Sequence, residues 1–265
     1  MINLMRLEAI INTFRADFPF FDPAHHAHKP TFYLDSAATT QRLQAVLETM
    51  DQFARVQNAS VHRAAYTLAN TSTSLFESSR NALARLINAP TSNELIFTSG
   101  ATESLNMIAQ GLTAPMLRGS KLLICASEHH ANLLPWQRMA EQFGLQIQIL
   151  NLEDGGSFNE STIEQWLSML DEDVALVACA HVSNVLGNIY PVQALCNKAR
   201  SVGALSVIDG TQALAHLPVD VQSIACDFYV FSGHKMYGPT GIGVLWGKYE
   251  HLNAMQAYKL GGEMV

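Results

Sequence analysis

The sequence predicts an α/β protein built on a mostly parallel, doubly wound sheet with flanking helices. Two observations support this prediction. Hydrophobic residues make up 48% of the 265 residues and charged residues only 15%, which suits a sheet that is covered on both faces. From Glu94 onward, short apolar runs alternate with amphipathic helical patterns across short connections, as in successive βαβ units.

The first part of the chain is predicted to be mainly helical. Apolar spacing predicts a helix over 4–16 and two further helices over 43–58 and 64–87. An irregular segment, 18–29, and a short extended piece, 33–40, lie between the first two. The extended piece ends in small residues, which either let the backbone approach a ligand or simply form turns.

The alternating part of the chain supplies the sheet. The predicted strands cover residues 95–98, 122–126, 146–150, 174–180, 205–208, 228–231 and 244–246. The predicted helices between them cover residues 103–110, 132–143, 163–170 and 192–202. No internal repeat and no low-complexity linker interrupts this series.

Charge and hydropathy exclude several classes of protein. The net charge of −7 and the lack of a long basic run argue against a nucleic-acid surface. No apolar run approaches the about 18 residues that a membrane span needs. Residues 1–8 carry charge where a signal peptide would need an unbroken apolar core, so we expect a cytoplasmic protein.

The cysteines and clustered histidines do not predict a metal site. The sequence contains four cysteines, Cys125, Cys179, Cys196 and Cys226. Three of them fall in apolar runs, which favours packing in the core. None has C-x-x-C spacing, which fits a reducing compartment. A second candidate metal site consists of His25, His26 and His28. Because no cysteine or carboxylate cluster completes a ligand set nearby, a solvated loop is the favoured interpretation.

Polar residues follow the predicted strands, where ligands of such sheets bind. Ser99 to Glu103 open a helix after strand 95–98, which indicates either an anion site or an ordinary helix cap. His129, after the next strand, can stack on an aromatic ring and move protons, or cap a helix. Asn184 places an amide at the same edge.

Two further residues complete this set. Asp209 ends a very apolar strand and therefore needs a partner, such as a protonated pyridine nitrogen. Lys235 lies between two apolar runs, and is either an amine that condenses with an aldehyde or a loop lysine in solvent. An anion cradle, a stacking histidine, a carboxylate and a lysine match the four parts of pyridoxal phosphate, which the sequence therefore favours as cofactor.

Several stretches resemble those of class V aminotransferase-fold enzymes, most closely the cysteine desulfurase and selenocysteine lyase branch. The resemblance runs from about residue 15 to the last residue and rests on the stretches 33–40, 61–63, 98–102, 128–132, 181–185, 209–212 and 231–235. It implies the large domain of a fold-type-I pyridoxal phosphate enzyme over 31–265. Residues 1–30 would form an N-terminal helix and arm.

The resemblance also implies roles for individual residues. Lys235 would bind the cofactor aldehyde covalently and act in catalysis with His129, which stacks over the ring. The other expected cofactor contacts are Asp209 at the ring nitrogen, Gln212 at the ring hydroxyl, and Ala101, Thr102, Ser232 and His234 at the phosphate. Asn184 would lie near the substrate carboxylate, with His62 and Arg63 at the substrate entrance.

The implied reaction removes sulfur from L-cysteine, giving alanine and a persulfide on an enzyme cysteine. Relatives also act on selenocysteine. The implied protein is a homodimer that passes its sulfur to an acceptor protein, as in iron–sulfur cluster assembly.

The sequence departs from the family pattern in two respects. Family members are longer, and 261–265 resemble a glycine-rich loop that precedes the small domain, so we expect the nucleophilic cysteine and the carboxylate-binding arginine to be missing here. Ser60 stands where asparagine is often found. Two alternatives stay open: another class V aminotransferase or lyase, and a non-catalytic, truncated domain that only binds the cofactor.

Overall fold

The structure, a computed structural model, describes residues 4–26 and 32–261. The chain divides into two compact units. The arm unit comprises Met1–Arg80 and Gly233–Thr240, and the sheet unit comprises Asn81–Ser232 and Gly241–Val265. The expected boundary near residue 30, between an N-terminal arm and the cofactor-binding domain, stays a prediction. His28, part of the rejected histidine cluster, lies outside the described residues.

The arm unit is mainly helical. It contains α1 (Leu4–Ala16), α2 (Gln44–Gln52) and the start of α3 (Thr67–Leu86). The pattern over 43–58 predicts one helix, but α2 ends at Gln52 and the chain continues as a wider π-helical turn, Phe53–Gln57. Residues 36–38, among the small residues of 33–40, form a turn, which is one of the two roles that the sequence allows.

The sheet unit contains seven strands in one sheet. The strands are β1 (Leu95–Thr98), β2 (Lys121–Cys125), β3 (Gln146–Leu150), β4 (Val174–Ala180), β5 (Leu205–Asp209), β6 (Phe228–Ser232) and β7 (Gly243–Gly247). The helices that follow α3 are α4 (Ala101–Gly111), α5 (Leu134–Phe143), α6 (Glu160–Met169), α7 (Val192–Val202), α8 (Val221–Ile224) and α9 (Tyr249–Ala254).

The sheet is mostly parallel, as the sequence predicts. Its strand order is β1-β7-β6-β5-β4-β2-β3, and only β7 runs antiparallel to its neighbours. The connection 233–242 explains this exception, since a parallel return needs a crossover of about a dozen residues or more. All other neighbouring strands are joined through longer, mostly helical crossovers.

Apolar side chains cover both faces of the sheet. On one face, α4 and α5 bury Leu105, Ile108 and Trp136 against alternate strand residues such as Leu176 and Val230. On the other face, α7 packs against β4 and β5. All seven residues of β4 are buried, which explains its unbroken apolar sequence. Across 4–26 and 32–261, every helix is too short or too polar to cross a bilayer.

Local signals set the helix ends. The Asn159 side chain accepts the Thr162 N–H while the Thr162 hydroxyl accepts the Asn159 N–H, so α6 begins with a capping box. The apolar spacing alone places this start too late, at 163. Helices α5 and α7 end at Gly144 and Gly203, both in the left-handed conformation that glycine adopts without strain.

Candidate functional site

The carboxyl ends of β1, β2, β4, β5 and β6 meet at one edge of the sheet unit. Strand β1 shares this direction because both it and β6 run antiparallel to β7. Four predicted site residues lie at this edge: His129 after β2, Asn184 after β4, Asp209 at the end of β5 and Ser232 at the end of β6. The topology therefore brings together residues that are far apart in the sequence, while their chemical roles stay predictions.

The start of α4 forms a candidate anion site. The Ala101 N–H donates to the Ser232 hydroxyl oxygen over 2.8 Å, so the end of β6 touches the first turn of the helix. Gly243 permits this approach, because a Cβ there would lie 2.4 Å from the Gly100 Cα. The Ser232 hydroxyl accepts from Ala101 and retains a proton to donate to an anion. This contact joins two of the predicted phosphate-binding residues.

Glu103 accepts a hydrogen bond from the backbone N–H of Ser99, just before this turn. Its carboxylate accepts the Ser99 N–H at 2.6 Å and also pairs with the Lys259 ammonium group. The hydrogen bond from Lys259, followed by that from Ser99, lowers the pKa of Glu103 to about 2. The N–H groups of Ser99 and Ala101 are thus both engaged within the protein, and phosphate binding by Ala101 and Thr102 stays a prediction.

Asp209 is buried at the end of β5 and is fixed by the turn that follows it. Its Oδ1 accepts the Thr211 N–H at 2.9 Å. Gly210 is required here, because a Cβ would lie 2.0 Å from the Tyr229 ring. The Thr211 hydroxyl is buried and has no hydrogen-bond partner within the part of the chain that the structure describes. Gln212, the predicted contact of the ring hydroxyl, is also buried.

A neutral pair supports the turn at Asp209. The Tyr229 hydroxyl lies 2.9 Å from the ring nitrogen Nδ1 of His181. The backbone N–H of His181 donates to the Asp209 carbonyl. Burial lowers the pKa of His181 and raises that of Tyr229, so both are uncharged near neutral pH. The sequence does not predict this role of Tyr229, because its pattern indicates only that the residue lies in a buried strand.

His129 caps the short helical turn His130–Asn132. Its Nδ1 accepts the Ala131 N–H at 3.1 Å, which places the proton of a neutral ring on Nε2. The residue is exposed, so the ring remains accessible to a flat ligand. The capping role is therefore observed, and stacking on a cofactor stays a prediction.

Asn184 lies in the connection between β4 and α7. The preceding Ser183 hydroxyl accepts the N–H groups of Val185 and Leu186, which tightens the turn around Asn184. Asn184 itself is partly exposed. Its expected contact with a substrate carboxylate stays a prediction.

In the arm unit, two threonines hold the turn that contains Lys235. The His234 carbonyl accepts the Thr40 N–H at 2.9 Å and the hydroxyls of Thr40 and Thr39 at 3.0 and 3.2 Å. The Thr40 hydroxyl in turn accepts the Tyr237 N–H at 2.9 Å. The small-residue stretch 33–40 thus positions the lysine turn, a function that its sequence leaves open.

The other predicted residues of the arm unit have partners of their own. Burial, together with the charges of Lys235 and Arg42, lowers the pKa of His234. His62 adopts a left-handed conformation, with φ of 61°, and its Nε2 lies 3.0 Å from a Glu77 carboxylate oxygen. Arg63, beside it, is exposed.

The sheet unit therefore defines an α/β protein with a polar site at the carboxyl edge of a largely parallel sheet. The chain belongs to the class V aminotransferase family, whose family model matches residues 32–265. The similar proteins add a more specific likeness.

A probable cysteine desulfurase from Xylella fastidiosa is 43% identical over 253 residues, which are 95% of this chain and 59% of that protein. A probable cysteine desulfurase from Vibrio cholerae is 43% identical over 263 residues, covering 99% and 63%. Among solved structures, a cysteine desulfurase from Escherichia coli in an S-sulfonic acid form has a TM-score of 0.82 at 38% identity, with 96% of this chain and 61% of that one covered.

The apo cysteine desulfurase from Thermococcus onnurineus has a TM-score of 0.84 at 36% identity, and the match covers 94% of this chain and 59% of that one. The chain thus spans about three fifths of the length of these relatives.

Proposed function

We propose that this chain binds pyridoxal 5'-phosphate and forms the cofactor-binding part of a cysteine desulfurase. The observation that supports this most is the buried Asp209 carboxylate, at the same sheet edge as the hydrogen bond between Ala101 and Ser232. The resemblance of the chain to proteins named cysteine desulfurase points to the same function.

The residues at this edge fit the parts of the cofactor. A phosphate needs N–H and O–H donors, which the first turn of α4 and the Ser232 hydroxyl supply. A protonated ring nitrogen needs a buried anion, which Asp209 supplies. The buried Thr211 hydroxyl, which has no hydrogen-bond partner among the described residues, is a further polar group that a bound ligand can satisfy.

When bound, pyridoxal phosphate supplies an aldehyde that condenses with amines and a ring that accepts electron density from the substrate α-carbon. Asp209 would hold the proton on the ring nitrogen and so keep the ring electron-withdrawing. Gln212 would donate to the ring hydroxyl oxygen, and His129 would stack on the ring. Thr102 and His234 complete the phosphate contacts.

The remaining residues act on the substrate. Lys235 would hold the cofactor aldehyde through its amine and would carry the proton at the substrate α-carbon. Asn184 orients the substrate carboxylate, while His62 and Arg63 line its entrance. We propose L-cysteine as the substrate, with selenocysteine as a related one, and a cytoplasmic homodimer that passes sulfur to an acceptor protein.

A sulfur-accepting thiol must reach the substrate. All four cysteines of this chain are free thiols and buried. We therefore expect the 265-residue chain to bind the cofactor without forming a persulfide. Sustained conversion of L-cysteine to alanine by this chain would contradict that expectation.

Borohydride reduction tests the cofactor assignment. After incubation with pyridoxal phosphate, reduction and digestion, we expect the pyridoxyl label on the peptide that contains Lys235. Lys235→Ala should abolish the label, whereas Lys198→Ala, at a partly exposed lysine on α7, should retain it. A label on another lysine of the unmodified chain would refute the assignment.

The reaction class is tested separately, on the natural protein that contains this sequence. A desulfurase converts L-cysteine to alanine and transferable sulfur. Transfer of the amino group to a keto acid, without sulfur release, would instead identify another class V enzyme.

A further inference from the structure

Two thiols and a carboxylate meet beside the carboxyl edge of the sheet unit. Cys125 ends β2 and Cys179 lies in β4, and the parallel pairing of Ile124 with Ala178 makes the two cysteines neighbours on one face. Their sulfurs and a Glu128 carboxylate oxygen all lie within 4.8 Å of one another. Within 4–26 and 32–261, this is the one group of three such ligands so close together.

The cluster differs from ordinary core cysteines. Cys125 and Cys179 are 2% and 0% exposed, as expected of thiols that serve only as small apolar residues. Beside these thiols lies the partly buried Glu128 carboxylate, which adds an oxygen ligand to the two sulfurs. Cys196 and Cys226 are equally buried but belong to no such group among the described residues.

We propose that Cys125, Cys179 and Glu128 bind a divalent metal ion of the zinc type. Zinc takes thiolate sulfur at about 2.3 Å and carboxylate oxygen at about 2.0–2.2 Å in tetrahedral sites, which requires ligand separations of roughly 3.4–3.8 Å. The observed upper limit of 4.8 Å is within reach of small side-chain rotations. A thiol that still carries its proton loses it when its sulfur bonds to the metal, so metal binding releases protons to solvent.

Hydrogen bonds already orient the Glu128 carboxylate, in the way that contacts around a metal site orient its ligands. One Glu128 oxygen accepts the Ala180 N–H at 2.7 Å, and the other accepts an Asn132 N–H at 2.6 Å. Asn132 is itself fixed by the Trp136 indole N–H at 2.9 Å. Such contacts to ligating residues tune and hold metal sites, and each carboxylate oxygen keeps a second lone pair for the metal.

A fourth ligand position lies next to the cluster. The Ser127 hydroxyl is 3.7 Å from the Cys125 sulfur and is hydrogen-bonded to the Tyr190 hydroxyl. It suits either direct coordination or a hydrogen bond to a metal-bound water. The metal would then link β2, β4 and the turn that carries His129.

Cobalt(II) is the probe that tests this proposal. With the reduced chain, free of pyridoxal phosphate, we expect one Co²⁺ per chain and the near-ultraviolet absorption of thiolate-to-cobalt charge transfer. Cobalt binding should release thiol protons, measurable with a pH indicator, and Zn²⁺ should then remove this absorption by displacing cobalt without further proton release. Cys125→Ala and Cys179→Ala should each abolish the absorption, whereas Cys226→Ala, at another buried thiol, should retain it.

The unmodified chain gives the decisive result, so the test survives even if a variant does not fold. Absence of the charge-transfer absorption in the reduced, folded chain overturns the proposal. So does absorption that persists in both Cys125→Ala and Cys179→Ala.

Discussion

At the residue scale, Asp227 shows how several contacts stabilise one buried charge. Its carboxylate accepts the Ser206 N–H at 2.8 Å, the Lys248 ammonium at 2.6 Å and the His251 ring at 3.2 Å. Burial by itself raises the pKa of Asp227, but the hydrogen bonds from His251 and Lys248 outweigh it and lower the pKa to about 2. The charge therefore holds the starts of β5 and β6 to the segment after β7.

This depressed pKa makes stability depend on pH. Because the folded pKa lies below the unfolded value of about 3.9, the stabilisation is present above that pH and is lost as pH falls through the folded pKa near 2. Asp227→Asn should lower the free energy of unfolding at pH 7 by about 2–4 kcal/mol, since it leaves Lys248 without its charged partner. The difference from the unmodified chain should shrink from pH 5 to pH 2, as measured by urea unfolding.

Asp171→Asn is the matched control for this prediction. Asp171 also pairs with a lysine, Lys121, at 2.8 Å, but at the surface. Solvent screens this pair, so the substitution should leave the unfolding midpoint nearly unchanged. Equal losses at the two positions would show that burial does not set the strength of the Asp227 contacts.

At the scale of elements, the start of α4 depends on its contact with β7. Gly243 pairs with Thr98 at the end of β1 and lies directly against Gly100. A glycine between two strands and a helix start has no local signature beyond its place in a glycine-rich stretch. Its steric role becomes visible only when the two backbones are placed side by side.

Gly243→Ala should displace the first turn of α4. The added Cβ, 2.4 Å from the Gly100 Cα, cannot be accommodated without movement of backbone, so we expect a loss of about 1–3 kcal/mol in unfolding free energy. Affinity for pyridoxal phosphate, measured by absorbance titration, should fall several-fold as well. Gly261→Ala, where an added Cβ meets nothing within 4 Å, should change neither quantity. Unaltered cofactor affinity in Gly243→Ala would argue against a phosphate site at this turn.

At the scale of the whole molecule, hydrogen bonds between distant residues position the lysine turn. Thr40 and His234 are separated by 194 positions in the sequence, yet the Thr40 hydroxyl bonds both the His234 carbonyl and the Tyr237 N–H. Tyr237 has a φ of 67°, which a tyrosine adopts only when its surroundings impose it. The turn that contains Lys235 is thus held by a residue from the first chain segment of the arm unit.

Thr40→Val should loosen this turn while keeping the side-chain shape. Loss of the hydroxyl leaves the partly buried Tyr237 N–H without this acceptor, which costs at most about 1–3 kcal/mol locally. We expect faster amide hydrogen exchange in 233–240, measured by mass spectrometry. Thr49→Val, which removes only an exposed hydroxyl bonded within α2, should leave that exchange unchanged. Equal protection in the two variants would show that Thr40 does not hold the turn.

The sequence alone determined the strand and helix series, the parallel character of the sheet and the edge at which polar residues gather. These properties follow from apolar periodicity and from short connections, which are local in the chain. It also singled out Asp209 and Lys235, because an ionisable residue beside a buried strand contrasts with its neighbours.

Tertiary structure alone decided the contacts between distant residues. Such contacts depend on which strands and turns become neighbours. They include the Ala101–Ser232 hydrogen bond, the Thr40 contacts and the grouping of Cys125 with Cys179 and Glu128. The same holds for the Thr211 hydroxyl, which has no partner among the described residues. Sequence spacing carries no information about such distances, since residues that meet across a sheet are separated by whole helices along the chain.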